Sequence, residues 1–164
     1  MAVSIVLKIN EGSAQIKGES ATDGHKFEID VLQWSWGLTQ SASAHVATGA
    51  GSGSADVRDL TITKYVDAAS PTLLQECFYG HDHKEATLTV MKVGGKTAIE
   101  MVKMTMSGTV FISSVNTGHP TPNDRYTETV TLNFAKVKIE YTGQKADQSK
   151  DSSVSGQFDI AKRH

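Results

Sequence analysis

The stretch Tyr126 to Tyr141 reads Tyr-Thr-Glu-Thr-Val-Thr-Leu-Asn-Phe-Ala-Lys-Val-Lys-Ile-Glu-Tyr. Val130, Leu132 and Phe134 alternate with Thr129, Thr131 and Asn133, so an extended chain here carries one apolar and one polar face. Its residue types suit a pleated surface. Past Phe134 the parity changes: Val137, Ile139 and Tyr141 are apolar, with Lys136, Lys138 and Glu140 between them. A straight strand would send the two apolar sets to opposite faces. Either a β-bulge near Ala135 restores one face, or the strand passes from one sheet to another. Both readings require a bent strand in a closed or double-layered β structure.

At 164 residues the chain is long enough to bury roughly two-thirds of its unfolded surface, and residues 1–164 are expected to form a single domain. The 16 Lys and Arg against 18 Asp and Glu give a net charge of −2. No strong positive field is available for nucleic acid or an anionic membrane. Cys77 stands alone, which excludes an internal disulfide and suits a reducing cytoplasm. The opening Met-Ala-Val-Ser-Ile-Val-Leu-Lys-Ile reads as a short strand rather than a signal peptide. No stretch approaches the ~20 apolar residues that span a bilayer, so membrane insertion is not expected.

Strands are expected at residues 3–9, 15–19, 26–38 and 57–65, and over the hairpin arms 86–93 and 96–106, where Gly94-Gly95 is the turn. Gly108 marks a further bulge before a strand at 110–115. Ser70 as cap, Pro71 at the first helical position and Gly80 as stop delimit one helix, with Leu73, Leu74, Cys77 and Phe78 as its apolar stripe. Residues 40–55, rich in Ala, Gly and Ser, form a long loop that a partner could order. The polar tail 146–156 is expected to be mobile, with a last short strand at 157–160. No βαβ alternation occurs, so a parallel sheet is not expected.

Gly94-Gly-Lys-Thr97 resembles the end of a phosphate loop, but position 90 is valine and a strand pattern follows, which favours the hairpin. His81-Asp-His83 has a metal-compatible spacing but follows a helix stop without a completing ligand, and a polar turn is the better reading. No nucleophile elbow or carboxylate pair is recognisable; no catalytic residue, cofactor or metal is expected, and the chain reads as a non-enzyme. Trp34 and Trp36 share a strand face and favour core or interface over a stacking platform. Lys17, Lys64, Lys92, Lys136 and Lys138 form no basic block and are read as solvated.

Three stretches carry a family resemblance: Ile29-Asp-Val-Leu-Gln-Trp-Ser-Trp-Gly37, Thr63-Lys-Tyr-Val-Asp-Ala-Ala-Ser-Pro-Thr-Leu73, and Asp124 to Val137 with Tyr141 and Gln144. Met-Ala-Val at the start and Gly18-Glu-Ser20 agree as well. Together they resemble the hemolysin-coregulated protein (Hcp) family, the tube subunit of bacterial type VI secretion. The resemblance covers essentially the whole chain and is loose at residues 10–15, at 119–123 and after 146.

That resemblance implies a mainly β, tail-tube-like fold: two packed antiparallel sheets forming a β-barrel with one short α-helix alongside. It implies a homohexameric ring with a wide channel, and rings stacked into the tube inside a contractile sheath. A spike of the valine-glycine repeat family tips the tube, and effector proteins travel in the lumen. The subunit is expected in the bacterial cytoplasm before firing and outside the cell, or in a target cell, afterwards. On this reading Ser35 and Gln33 face the channel. Residues 45–52 (His45, Val46, Ala47, Thr48, Gly49, Ala50, Gly51, Ser52) belong to a loop contacting another subunit or ring. The alternative is a ligand-binding β-barrel that uses Trp34 and Trp36.

Overall fold

The structure, a computed structural model, describes residues 2–11, 14–45, 53–94, 97–118 and 125–162. Among these, eleven strands and one helix run β1 (Ala2–Glu11), β2 (Ala14–Gln15), β3 (Ile29–Asp30), β4 (Gln33–Ser35), β5 (Leu38–Gln40), β6 (Ala55–Val57), β7 (Leu60–Tyr65), α1 (Ser70–Tyr79), β8 (Asp82–Gly94), β9 (Thr97–Gly118), β10 (Thr127–Gln144) and β11 (Lys150–Asp159). All pairings are antiparallel, and the main sheet runs β1–β8–β9–β10–β7–β4.

Residues 29–35 curl this sheet into a barrel. Ile29 and Asp30 pair with β1, and Val31 N–H donates to Ile5 O at 2.9 Å. Leu32 N–H then donates to Thr63 O at 2.8 Å, and Gln33–Ser35 pair with β7. One segment therefore joins the sheet's two ends, and the layers expected as two packed sheets are opposing walls of one curled sheet. The change of partner also explains why the strand expected over 26–38 is three short pieces. The expected strand at 15–19 shrinks to Ala14–Gln15, with Ile16 N–H still reaching Ile9 O, because residues 18–28 bond to one another instead, for example Gly18 N–H to Phe27 O and Phe27 N–H to Ser20 O.

The alternation in β10 does what its periodicity requires. Val130 and Leu132 are fully buried and pack with Leu7, Ile9, Ile29, Leu60, Ile62, Leu88, Met104 and Met106. Each such side chain contributes roughly 1.5–3 kcal/mol by leaving water. Phe134 faces Val110 in β9, but Lys136 faces Ser107, so Gly108 and Thr109 oppose the single residue Ala135. Gly108 has φ 82°, the left-handed first residue of a glycine bulge. The register of β8 on β9 slips at the same place, between His83 and Glu85. Phe134 and Val137, three apart, are consequently both buried, at 5% and 2% exposure. The bulge lies where β10 exchanges one neighbour for another: β7 covers Thr127–Leu132 and β11 covers Lys136–Gln144.

That exchange corrects the expectation of a mobile tail. Once β7 ends, β10 offers an unpaired edge, and residues 150–156 fill it as part of β11. In the intervening turn Asp147 accepts from Ser149 Oγ at 2.6 Å and from its N–H at 3.0 Å. These bonds, the hydroxyl's first, hold the Asp147 carboxyl below its ordinary range. The Gly94 hairpin is present, with Gly94 opposite Thr97, and β9 continues unbroken through the region expected as two strands.

Helix α1 begins with proline in its first turn and stops at Gly80, whose φ of 65° allows its N–H to reach back to Cys77 O. Ala69, not Ser70, is the N-cap residue. The Ser70 hydroxyl accepts from Asp67 N–H and donates to Glu128. On the apolar stripe Leu73 is buried and Cys77 packs partly against the core, whereas Leu74 and Phe78 are exposed. Glu76 takes an inward position instead.

The solvated reading of Lys64 is overturned. Lys64 is fully buried, directly opposite Glu128 in the β7–β10 register, and Glu128 is 1% exposed. The ammonium donates to Glu128 Oε1, to Asp67 Oδ1 at 2.9 Å, to Tyr65 O at 2.9 Å and to Ser70 Oγ at 3.2 Å. Thr117 Oγ1 donates to the other Glu128 oxygen at 3.1 Å. Four partners satisfy the buried charge and tie the helix start to two strands.

Candidate functional site

The outward side chains of four neighbouring strands form one polar surface. Because the strands are in register, side chains of equal parity line up across them. One row is Gln33 (β4), Thr63 (β7), Thr129 (β10) and Asn116 (β9); the next is Ser35, Thr61, Thr131 and Ser114. The intervening row, Trp34, Ile62, Val130 and Val115, packs in or against the core. Ser35 and Gln33 are exposed, as their parity requires.

Hydroxyls and one carboxylate knit this surface together. Thr131 Oγ1 lies 2.7 Å from both Ser113 Oγ and Ser114 Oγ. Ser113 donates to Asp59 Oδ2 at 2.6 Å, and Asn133 Nδ2 donates to Asp59 Oδ1 at 2.9 Å. Ser35, Trp36, Gly37, Arg58, Asp59 and Thr61 enclose an open cavity of about 290 Å³. These groups offer small, mutually bonded hydroxyls and amides, suited to many weak polar contacts. Thr131 lies on the polar face expected for its strand, with Thr129 and Asn133, whereas Asp59, Thr61 and Ser113 are not among the sequence expectations. The matching threonine alternations at 61/63 and 129/131 were the available signal.

Trp36 does not offer a free platform. Its ring stacks on Phe158 at 6.1 Å with a 19° interplanar angle, sits 6.3 Å from Phe134, and donates Nε1–H to Arg58 O at 2.9 Å. Trp34 is half-buried against the core. The Trp34/Trp36 ligand reading therefore loses its physical basis.

The long loop rises from a two-stranded ribbon in which Leu38 pairs with Val57, Thr39 with Asp56 and Gln40 with Ala55. Ser41 and Ser54 continue it, with Ser54 N–H donating to Ser41 Oγ at 3.0 Å, and Gly53 lies against the Ala42 backbone. His45 is exposed and its N–H donates to Ser43 Oγ at 3.2 Å. Val46, Ala47, Thr48, Gly49, Ala50, Gly51 and Ser52 lie outside the described residues.

The polar-turn reading of His81-Asp-His83 is also corrected. Asp82 opens β8, and His83 is 1% exposed. Glu76 Oε2 lies 3.1 Å from His81 Nδ1 and 3.5 Å from His83 Nε2. Among the described residues no group of three His, Cys, Asp or Glu is placed to hold a metal ion. No helix among them is long and apolar enough to cross a membrane.

Comparison with known proteins agrees with this geometry. The family described as "Type VI secretion system effector, Hcp" matches residues 6–141. Protein hcp1 of Pseudomonas aeruginosa is 46% identical over 151 residues, covering 92% of this chain and 90% of that protein. A solved type six secretion system protein superposes with a TM-score of 0.89 at 23% identity, covering 99% of both chains. Hcp1 from Salmonella typhimurium superposes with a TM-score of 0.77 at 30% identity, covering 99% of this chain and 98% of that one. The barrel with a polar outer wall is thus a type VI secretion fold, and the chain belongs to the Hcp family. Membership carries the role of a secreted, oligomeric subunit of the type VI tube.

Proposed function

We propose that this chain assembles as homohexameric rings whose inner wall is the polar surface of β4, β7, β10 and β9, and that the rings stack into the secretion tube. The observation that carries the reading is the pair of in-register rows of small polar side chains beginning at Gln33 and Ser35. A channel that passes varied cargo needs a wall that is hydrated, uncharged along most of its length and free of bulky anchors. The surface pairs small hydroxyls with one carboxylate and an amide, contacts suited to a passive wall. Before firing the subunit resides in the bacterial cytoplasm, sheathed by a contractile partner. A valine-glycine repeat spike caps the tube, and effector proteins occupy the lumen. The ribbon and the loop it carries, residues 40–55, contact the next subunit or ring.

Negative-stain imaging of the purified chain tests the assembly: six-membered rings with an open centre are expected, and monomers without a channel overturn it. Ser35→Gln leaves the rings intact while weakening capture of a lumen cargo about tenfold, read by co-purification; unchanged capture removes Ser35 from the wall. Deleting residues 44–53 leaves a cooperative thermal transition but reduces rings or stacked tubes severalfold in images. Undiminished assembly overturns the loop's role.

A further inference from the structure

We propose that His25 is a proton-operated clip, fastening the loop of residues 16–28 to the β8–β9 hairpin when its ring is charged and releasing the hairpin when it is not. His25 Nδ1 lies 3.0 Å from Glu28 Oε1, and Nε2 lies 3.2 Å from Glu100 Oε1. A neutral imidazole has one N–H and can donate to only one of two carboxylates; the imidazolium donates to both. The arrangement thus matches the charged ring at both nitrogens.

The burial pattern points the same way. The Glu28 side chain is 10% exposed and its Oε2 is buried without a partner, so its ionised form needs a nearby positive charge. Among the described residues no lysine or arginine forms an ion pair with Glu28 or Glu100, and His25 meets both. Lys17, Glu19, Asp23 and Lys26, the other ionisable side chains of the loop, are exposed. Strand β8 places the uncharged Met91 opposite Glu100. His25 side-chain exposure is 15%, enough for a proton to enter without unfolding.

The two contacts span very different distances along the chain. Glu28 lies three residues away, and Glu100 lies 75 away on β9, close to the Gly94–Thr97 turn. Losing the second N–H leaves one contact, and the exposed Glu100 is the carboxylate that water can compensate. The local Glu28 bond then persists while the hairpin is released.

Thermal unfolding of the intact protein at fixed concentration, at about pH 5.5 and about pH 8.5, tests the clip. His25→Gln and Glu100→Gln are each expected to lower Tm by about 3–6 °C at the acid value and by under about 1 °C at the alkaline value. A shift equal at both values, or none at either, overturns the proposal.

Discussion

Lys64→Met should lower Tm by roughly 10 °C, at fixed protein concentration because the assembled state contributes to Tm. Methionine nearly preserves the volume of the stem, so the loss is chiefly electrostatic. Without the ammonium, Glu128 remains 1% exposed with Thr117 and Ser70 as its remaining donors, and Asp67 loses its ion-pair partner. Removing one member of such a pair costs about 3–5 kcal/mol because the other charge stays buried and uncompensated. Replacing both, Lys64→Met with Glu128→Met, should recover more than half of the loss, since neither charge then requires burial. Differential scanning calorimetry decides. A single-variant shift under about 2 °C would show that the pair is solvated, and a double variant as unstable as the single one would locate the cost in packing. The rings themselves should image normally below the lowered transition.

This buried pair marks the limit of what sequence periodicity discloses. Lys64 follows Ile62 at a spacing of two, so alternation alone puts it on the inner face, yet an isolated lysine is far more often on the surface. Only the register, which sets Glu128 opposite, reverses that prior. Two of the stretches that carried the family resemblance, around Thr63–Leu73 and Asp124–Val137, meet at this pair and Ser70. The shared sequence there encodes a three-dimensional junction that composition could not reveal.

The β10 parity slip was legible because period-two alternation is a local property, and Gly108 was recognisable as the residue able to take a positive φ. Its register could not be read, because the bulge depends on which residues of β9 lie opposite Ala135. The same holds for the candidate wall. Ser35, Gln33 and Thr131 follow from the alternation of their own strands, whereas Thr61, Ser113 and Asp59 join them only through pairing. β11 was missed over residues 150–156 because its side chains are mostly exposed and leave little hydrophobic pattern to detect. Main-chain bonding to the β10 edge orders it, and every polar sequence carries that capacity equally.

Gly18→Ala should lower Tm by about 6–12 °C, although Gly18 sits in a loop and alanine adds one methyl group. A Cβ at Gly18 would fall 2.5 Å from Glu28 O and 2.8 Å from Ile29 Cα, both backbone atoms that cannot rotate away. The loop must then part from residues 27–29, straining the 2.8 Å bond from Gly18 N–H to Phe27 O and the 3.0 Å bond from Ser20 N–H to Glu28 O. Ile29 is fully buried and opens the segment that joins β1 to β7, so the displacement reaches the barrel's closure. Overpacking of this kind costs about 3 kcal/mol. Gly24→Ala is the control: Gly24 has open space around its Cβ position but a φ of 77°, so it costs only roughly 1–2 kcal/mol of backbone strain. Calorimetry of the two variants should therefore rank Gly18→Ala as the more damaging. The reverse order would mean that conformational freedom, rather than the close approach of two backbones, is what this loop requires of its glycines.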